Sequence, residues 1–437
     1  MVTKNSMSLD THPVPELSGQ QRRCHVLLML YAPLPAVQLE TISQINGTDL
    51  PTTRQDIAEV NREIQRLHHL DILAFGEDTC QLQGTLLDQR LCLFHGLRRA
   101  LRTSPQFIAD HFTPWLHQSL QTHAFADDRF RQQQLTTLIQ QCAVQLGREF
   151  SERDQEFLRL YLQYCLWQNA TQRDTPFSPV AFDTLQSEWL RDKPEYLAAS
   201  CLFSQLQQLS SGLLAEGERD FFTLLLRLLR NHSYHSSGSD EDQRLMHQIE
   251  RVVENFQDVA GMKFSSDEGL IRQLFAHLGP AIERCHFAIG IDNLLQDEVT
   301  RMYPRLVRTT REALEDFQQE YRICLSEEEI GLVAVMFGAW LMQGNALQEK
   351  QILLLTHDNP QLEEAVEQQI REATLLPLNI KYQTLTEFQQ CGAPDGVAMI
   401  VTPYATRITD ADPLVIHTQL PLAKEQRKRI RSLLEAP

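Results

Sequence analysis

Two stretches of the chain spell out the same landmarks in the same order. Gly147, Phe150 and Ser151 read G-x-x-F-S, and so do Gly261, Phe264 and Ser265. An acidic turn follows each. Then come Leu158, Leu160, Tyr161 and Leu162 in the first stretch, against Leu270, Leu274, His277 and Leu278 in the second. With two inserted residues allowed, Tyr161 falls where His277 falls, and Gln168 where Arg284 falls. Further along, E-R-D-F-F-T-L-L-L from Glu218 answers E-I-G-L-V-A-V-M-F from Glu329. Landmarks that keep order and spacing mark a duplicated supersecondary unit, so two copies of one helical module fill the middle of the protein.

The second copy carries the more telling residues. Ser265 or Ser266, with Asp267 and Glu268 behind it, predicts a helix start. Leu270, Leu274, His277, Ala281 and Arg284 recur at 4-3-4-3 spacing and share one helical face. Pro280 lies between His277 and Arg284, removes one backbone bond and predicts a kink. On spacing alone, such a histidine is an ordinary half-buried core residue; its place in the repeat makes it a candidate site.

The bounds are those of a non-membrane, thiol-bearing protein. No apolar run reaches the length of a membrane span, and the first twenty residues lack the apolar core of a signal peptide. Nine cysteines, an odd number without a C-x-x-C pair, indicate free thiols in a reducing compartment. A cytoplasmic protein of three or four domains is expected. The formal charge of −17 argues against general adhesion to nucleic acid, but not against one DNA-reading element.

Residues 1–17 form a polar lead-in, expected to be disordered. From Ser18 to residue 84 the pattern changes. Helices are expected over Gln21–Tyr31 and Leu39–Ile45, with a turn at Asn46 and a third helix capped by Thr52 or Thr53. Strands follow at Asp71–Phe75 and Cys80–Leu82. Three helices and a hairpin are the order of a winged helix-turn-helix, whose third helix enters the major groove. Thr53, Arg54, Gln55, Ala58 and Arg62 are then expected to face outward, and Arg and Gln make paired contacts to guanine and adenine edges. Against this, residues 1–82 hold six Lys and Arg but ten Asp and Glu, three of the acids on the same helix. DNA-reading and protein-docking versions of the domain both remain open.

Residues 85–120 read as a helical connector in which Arg98, Arg99 and Arg102 cluster, either against phosphate or on a solvated face. The first module runs over 121–241 and the second over 242–348. His232 and His235 form an H-x-x-H with no cysteine or third histidine nearby, so no metal site is expected. From 349 to 437 the period changes: strands at Gln351–Leu355, Leu378–Gln383, Gly396–Val401 and Pro413–His417 alternate with helices, implying a small parallel α/β domain. Its first ligand-facing loop, Thr356–Pro360, has neither glycine to cradle phosphate nor cysteine to act as nucleophile. The fold class is mainly α.

In this order the chain resembles the bacterial regulators built around PRD modules, the phosphotransferase-system regulation domains of sugar-responsive transcription factors. The resemblance rests on H-L-G-P-A-I-E-R from His277, on Gly290, Asn293 and the Tyr303–Pro304 pair, and on L-S-E-E-E-I-G-L-V-A-V-M-F-G-A-W-L from Leu325. It implies a winged helix, two PRDs and a C-terminal domain similar to the phosphotransferase IIB components. Each PRD of the family offers two phosphoryl-accepting histidines. Carried over, only His277 is kept; the other three positions fall on Tyr161, Leu225 and Met336. The IIB cysteine falls near His357.

The resemblance implies a transcriptional regulator, with phosphotransferase control reduced to His277 or lost. It also implies pairing into a homodimer through these modules and contact with phosphotransferase proteins or another PRD regulator. No cofactor is implied. If His277 is phosphorylated, Arg284 is the expected partner of the added charge; if not, the imidazole is a neutral packing relic, which a non-accepting Met336 favours. The alternative is an interaction protein that titrates another regulator without reading DNA. An enzyme is not expected, because no metal constellation, nucleotide loop or nucleophile–base pair stands out.

Overall fold

Capping and turn chemistry set the boundaries of the elements in the computed structural model, which describes residues 17–32, 37–75, 79–122, 128–171, 180–210, 212, 214–230, 239–262, 266–291, 296–343, 350–357, 359–375, 378–406 and 413–434. The lead-in up to residue 16, His232, His235, Ser265 and Asn293 lie outside these residues. The chain divides into two compact units, Met1–Arg230 and Asn231–Pro437.

In the first unit, Ser18 and Gln21 form a reciprocal capping box that starts α1 (Gly19–Leu30). A short strand, β1 (Val37–Gln38), leads into α2 (Leu39–Asn46), which ends at Gly47 with φ 62°. Asp49, not Thr52 or Thr53, caps α3 (Leu50–His68): its carboxylate accepts from the Thr52 N–H at 2.9 Å. The helix therefore begins earlier than expected. β2 (Asp71–Phe75) and β3 (Thr79–Gln83) pair antiparallel, and β1 joins β3 to give the order β1-β3-β2. A two-residue strand leaves no readable alternation, which is why β1 escapes the sequence pattern.

Thr53 is a correction. It is 1% exposed, and its hydroxyl lies 2.7 Å from the Ser43 hydroxyl and 3.2 Å from that of Thr48. It joins α2 to α3 instead of facing outward.

The remainder of the first unit is helical: α4 (Leu86–Thr103), α5 (Pro105–Phe107), a π-helical turn (Ile108–Phe112), α6 (Thr113–Thr122), α7 (Asp128–Leu146), α8 (Glu152–Thr171), α9 (Thr184–Arg191), α10 (Glu195–Leu209) and α11 (Gly217–Leu228). One continuous apolar core runs from Cys24 and Leu28 through Leu93, Leu97 and Phe112 to Tyr161 and Leu226. α4 is thus part of this core and not merely a spacer. Its arginines are engaged within the unit: Arg99 reaches Glu63 at 2.6 Å and Arg98 reaches Asp154 at 3.5 Å, whereas Arg102 is exposed.

The second unit opens with α12 (Asp240–Ala260), α13 (Glu268–His286), α14 (Gln296–Met302), α15 (Pro304–Ala313), α16 (Glu315–Tyr321) and α17 (Glu327–Gln343). The duplication is visible in the packing. α7 packs on α8 and α10, and α9 and α10 on α11; correspondingly α12 packs on α13 and α15, and α14 and α15 on α17. Gly147 (φ 60°) and Gly261 (φ 69°) close α7 and α12 in the left-handed conformation that glycine adopts without a Cβ penalty. That conformation is the physical content of the repeated glycine.

α13 starts at Glu268 with Asp267 in the cap position, one residue beyond the expected serines, and it runs unbroken through Pro280. The parallel sheet is as the alternating pattern implied: β4 (Lys350–Thr356), α18 (Pro360–Ala373), β5 (Leu378–Thr384), α19 (Leu385–Cys391), β6 (Val397–Thr402), β7 (Leu414–His417) and α20 (Lys424–Leu434), with strand order β5-β4-β6-β7. Ile352 to Leu355 are fully buried along β4. Among the described residues, no helix is long and apolar enough to cross a membrane.

Candidate functional site

The site in the second unit forms where α13 crosses α17. The two run antiparallel. At one end Gly269 lies under Trp340, so close that a Cβ there would meet the indole at 2.3 Å, and the indole N–H donates to the Ser266 carbonyl at 2.5 Å. At the other end His277 and Arg284 of α13 meet Glu329 of α17. Ser326 caps α17 by accepting from the Glu329 N–H at 3.3 Å, so Glu329 sits in the first turn, where backbone N–H groups favour a carboxylate.

Arg284 grips that carboxylate with two donors, Nε to Oε1 at 2.6 Å and Nη2 to Oε2 at 3.2 Å. The paired geometry is the strong form of the interaction. Nη2 also reaches back to the His277 carbonyl at 3.3 Å. The two-turn gap between His277 and Arg284 is therefore spanned by side-chain length. His277 turns its buried Nε2 toward Glu329 Oε2 at 2.8 Å, outside the alignment of a full hydrogen bond, and its side chain is 12% exposed.

Three side chains thus share one carboxylate-centred cluster. Glu329 was not singled out as a site residue in the sequence. Its alignment with Glu218 was the signal that could have found it.

Burial alone would raise the Glu329 pKa, but His277 and Arg284 outweigh it and hold the carboxyl below its ordinary value near 4.5. A depressed folded-state pKa contributes stability that is present above the unfolded value and lost as pH falls through the folded one. The α13–α17 pairing should therefore loosen below about pH 4.5. Hydrogen exchange of residues 268–286 across that range should show the loss, and Glu329→Gln should flatten it.

The corresponding place in the first unit is built differently. Tyr161 stands at the His277 position, fully buried, its hydroxyl donating to the Arg90 carbonyl. Gln168 stands at the Arg284 position and Glu218 at that of Glu329. The cation comes instead from Arg90 on α4. Its Nη1 and Nη2 donate to Glu218 Oε2 and Oε1 at 3.0 and 2.7 Å, and its Nε donates to Gln168 Oε1 at 2.6 Å. Both side chains of this pair are 1% exposed.

Of the other positions, Leu225 is buried in the core and Met336 is half-buried on α17. His357 follows β4 at the carboxyl edge of the parallel sheet. Its backbone N–H donates to Glu363 at 2.6 Å, and the Tyr404 hydroxyl donates to the same carboxylate oxygen at 2.9 Å.

On α3, Arg54, Gln55, Ala58 and Arg62 are exposed. The acids of that helix are paired: Asp56 with Arg22 at 2.8 Å, Glu59 with Arg23 at 2.6 Å, and Glu63 with Arg99, while Gln55 Nε2 also donates to Glu59 Oε1 at 3.4 Å. A count of charges along the sequence could not show these ion pairs.

Comparison with known proteins finds two family domains in the second unit. Residues 250–340 match the PRD domain, and residues 350–434 match the C-terminal domain of the stationary phase-inducible protein CsiE. The chain is similar to the stationary phase-inducible protein CsiE of Escherichia coli (strain K12), 42% identical over 424 residues that span 97% of this chain and 98% of that protein. It is also similar to the transcriptional regulator ManR of Bacillus subtilis (strain 168), 23% identical over 182 residues, which are 41% of this chain and 28% of ManR.

Proposed function

Because the chain belongs to the family of the stationary phase-inducible protein CsiE and contains a PRD domain, we propose that it is a PRD-type transcriptional regulator that reads DNA with α3 and answers to phosphorylation at His277 alone. The order α1, β1, α2, α3, β2, β3 with sheet order β1-β3-β2 supports a winged helix-turn-helix in which α3 is the recognition helix. The observation that carries the DNA reading is the pairing of the acids on α3 with arginines of α1 and α4. Its acids are matched by Arg22, Arg23 and Arg99, while Arg54, Gln55 and Arg62 are exposed, Gln55 also donating to Glu59. The acidic composition that argues against DNA is thus partly spent on internal ion pairs.

Phosphorylation at His277 would place close to two negative charges beside Glu329, and Arg284 is within reach to leave the carboxylate for the phosphoryl oxygens. That exchange would change what ties α13 to α17.

A second reading, a protein that pairs with another PRD regulator without touching DNA, draws on the apolar surface of α17. Val335 and Met342 are exposed there, beside a cavity of about 130 Å³ also lined by Tyr303, Leu306 and Leu375. A genome-wide map of bound DNA in stationary cells separates the two. Discrete peaks that share a sequence support the first reading. No enrichment over a strain lacking the protein would overturn it in favour of the second.

A further inference from the structure

We infer that Arg90 is a built-in latch: it supplies, from outside the first module, the cation that the second module takes from its own α13, and by doing so fixes α4 to the first module. In the second unit the cation that satisfies Glu329 belongs to α13, inside the module itself. In the first unit the equivalent α8 position is Gln168, a neutral amide, yet the carboxylate of Glu218 is retained and completely buried. A buried carboxylate without a partner is expensive, so a cation must come from elsewhere. It comes from α4, whose first residues follow directly on β3.

The fit around Arg90 is complete on every side. Glu218 takes two of its nitrogens and Gln168 takes Nε. Nη1 also donates to Cys165 Sγ at 2.8 Å. The Phe221 ring lies 5.1 Å from the guanidinium carbon, and Asn169 Nδ2 donates to Glu218 Oε1 at 2.7 Å. Tyr161 closes the arrangement from the backbone side by binding the Arg90 carbonyl. The residue at the histidine position therefore holds the same residue that replaces the module's arginine. Tyr161 and Gln168 thus both serve the docking of α4.

The consequence is an asymmetry between the copies. The carboxylate cluster of the second module is self-contained and half open, whereas that of the first is shut by a neighbouring helix. α4 also packs on α1 and α3, so the latch holds the N-terminal three-helix, three-strand region to the first module.

The test moves the cation back. Hydrogen–deuterium exchange and chemical denaturation are measured on the full chain for the native protein, Arg90→Gln, and the pair Arg90→Gln/Gln168→Arg. The single change should lower the unfolding midpoint of the first unit. The pair should recover the midpoint, because Glu218 again has a cation, now from α8. Amides of residues 86–103 should nevertheless exchange about ten-fold faster than in the native chain, since α4 has lost its tie through Arg90 and keeps only the Arg98–Asp154 pair and its apolar packing. Amides of residues 240–343 should be unchanged in both variants. Native-like protection of residues 86–103 in the double variant would overturn the latch. So would failure of Gln168→Arg to restore the midpoint or the fold.

Discussion

Glu218→Leu is expected to destabilise the first unit by about 3–5 kcal/mol, because it leaves the Arg90 guanidinium buried and unpaired. At 1% exposure Arg90 has no route to water, and its remaining partners, Gln168 and Cys165, are neutral. The matching change in the second unit, Glu329→Leu, should cost clearly less. Arg284 is 18% exposed, so its charge can be resolvated. The two substitutions remove the same residue type from the same place in the repeat. Any difference between them therefore reports the environment and not the chemistry. Denaturation followed by tryptophan fluorescence can separate the units: Trp115, Trp167 and Trp189 lie in the first and Trp340 in the second. Equal losses would mean that the buried pair is no more committed than the half-open one.

Arg54→Ala and Gln55→Ala should each weaken binding to a specific operator by about 1–3 kcal/mol and relax sequence choice at the bases they face. Affinity for random DNA should fall much less. Thr53→Val should leave sequence choice intact, since that hydroxyl is bonded to Ser43 inside the protein. Arg98→Ala should also leave DNA binding nearly unchanged, because Arg98 is taken up by Asp154 and by the face of Phe94, whose ring centre is 5.4 Å away. Competition assays against specific and random duplexes give both quantities. Equal losses on the two duplexes for Arg54 and Gln55 would remove α3 as the reading element.

Much of this architecture was legible because it depends on local patterns. The alternation of apolar strands and helices after residue 350 gave the parallel sheet nearly strand for strand. The repeat was readable because Gly147 and Gly261 do the same backbone work. What escaped was long-range pairing. Arg90 meets Glu218 across 128 positions, and no periodicity in either helix announces the contact. Thr53 was misplaced for a related reason: an Asp49 cap starts α3 early, and a small hydroxyl fits against α2 as easily as it faces water. At the candidate site, His277 and Arg284 could be placed on one face of α13, but the carboxylate that joins them lies on another helix. Sequence spacing could propose the pair, not its keystone.

The central claim is that His277 of the second module accepts a phosphoryl group, while the matching place in the first is closed by Arg90 and Tyr161. The direct measurement is phosphoryl transfer from phosphoenolpyruvate, through the general phosphotransferase proteins, to the full chain, read by mass spectrometry under alkaline handling. The account expects one acid-labile phosphate, carried by His277, absent in His277→Ala and unaffected by Arg90→Gln. An unlabelled chain, or a phosphate that persists in His277→Ala, would contradict it.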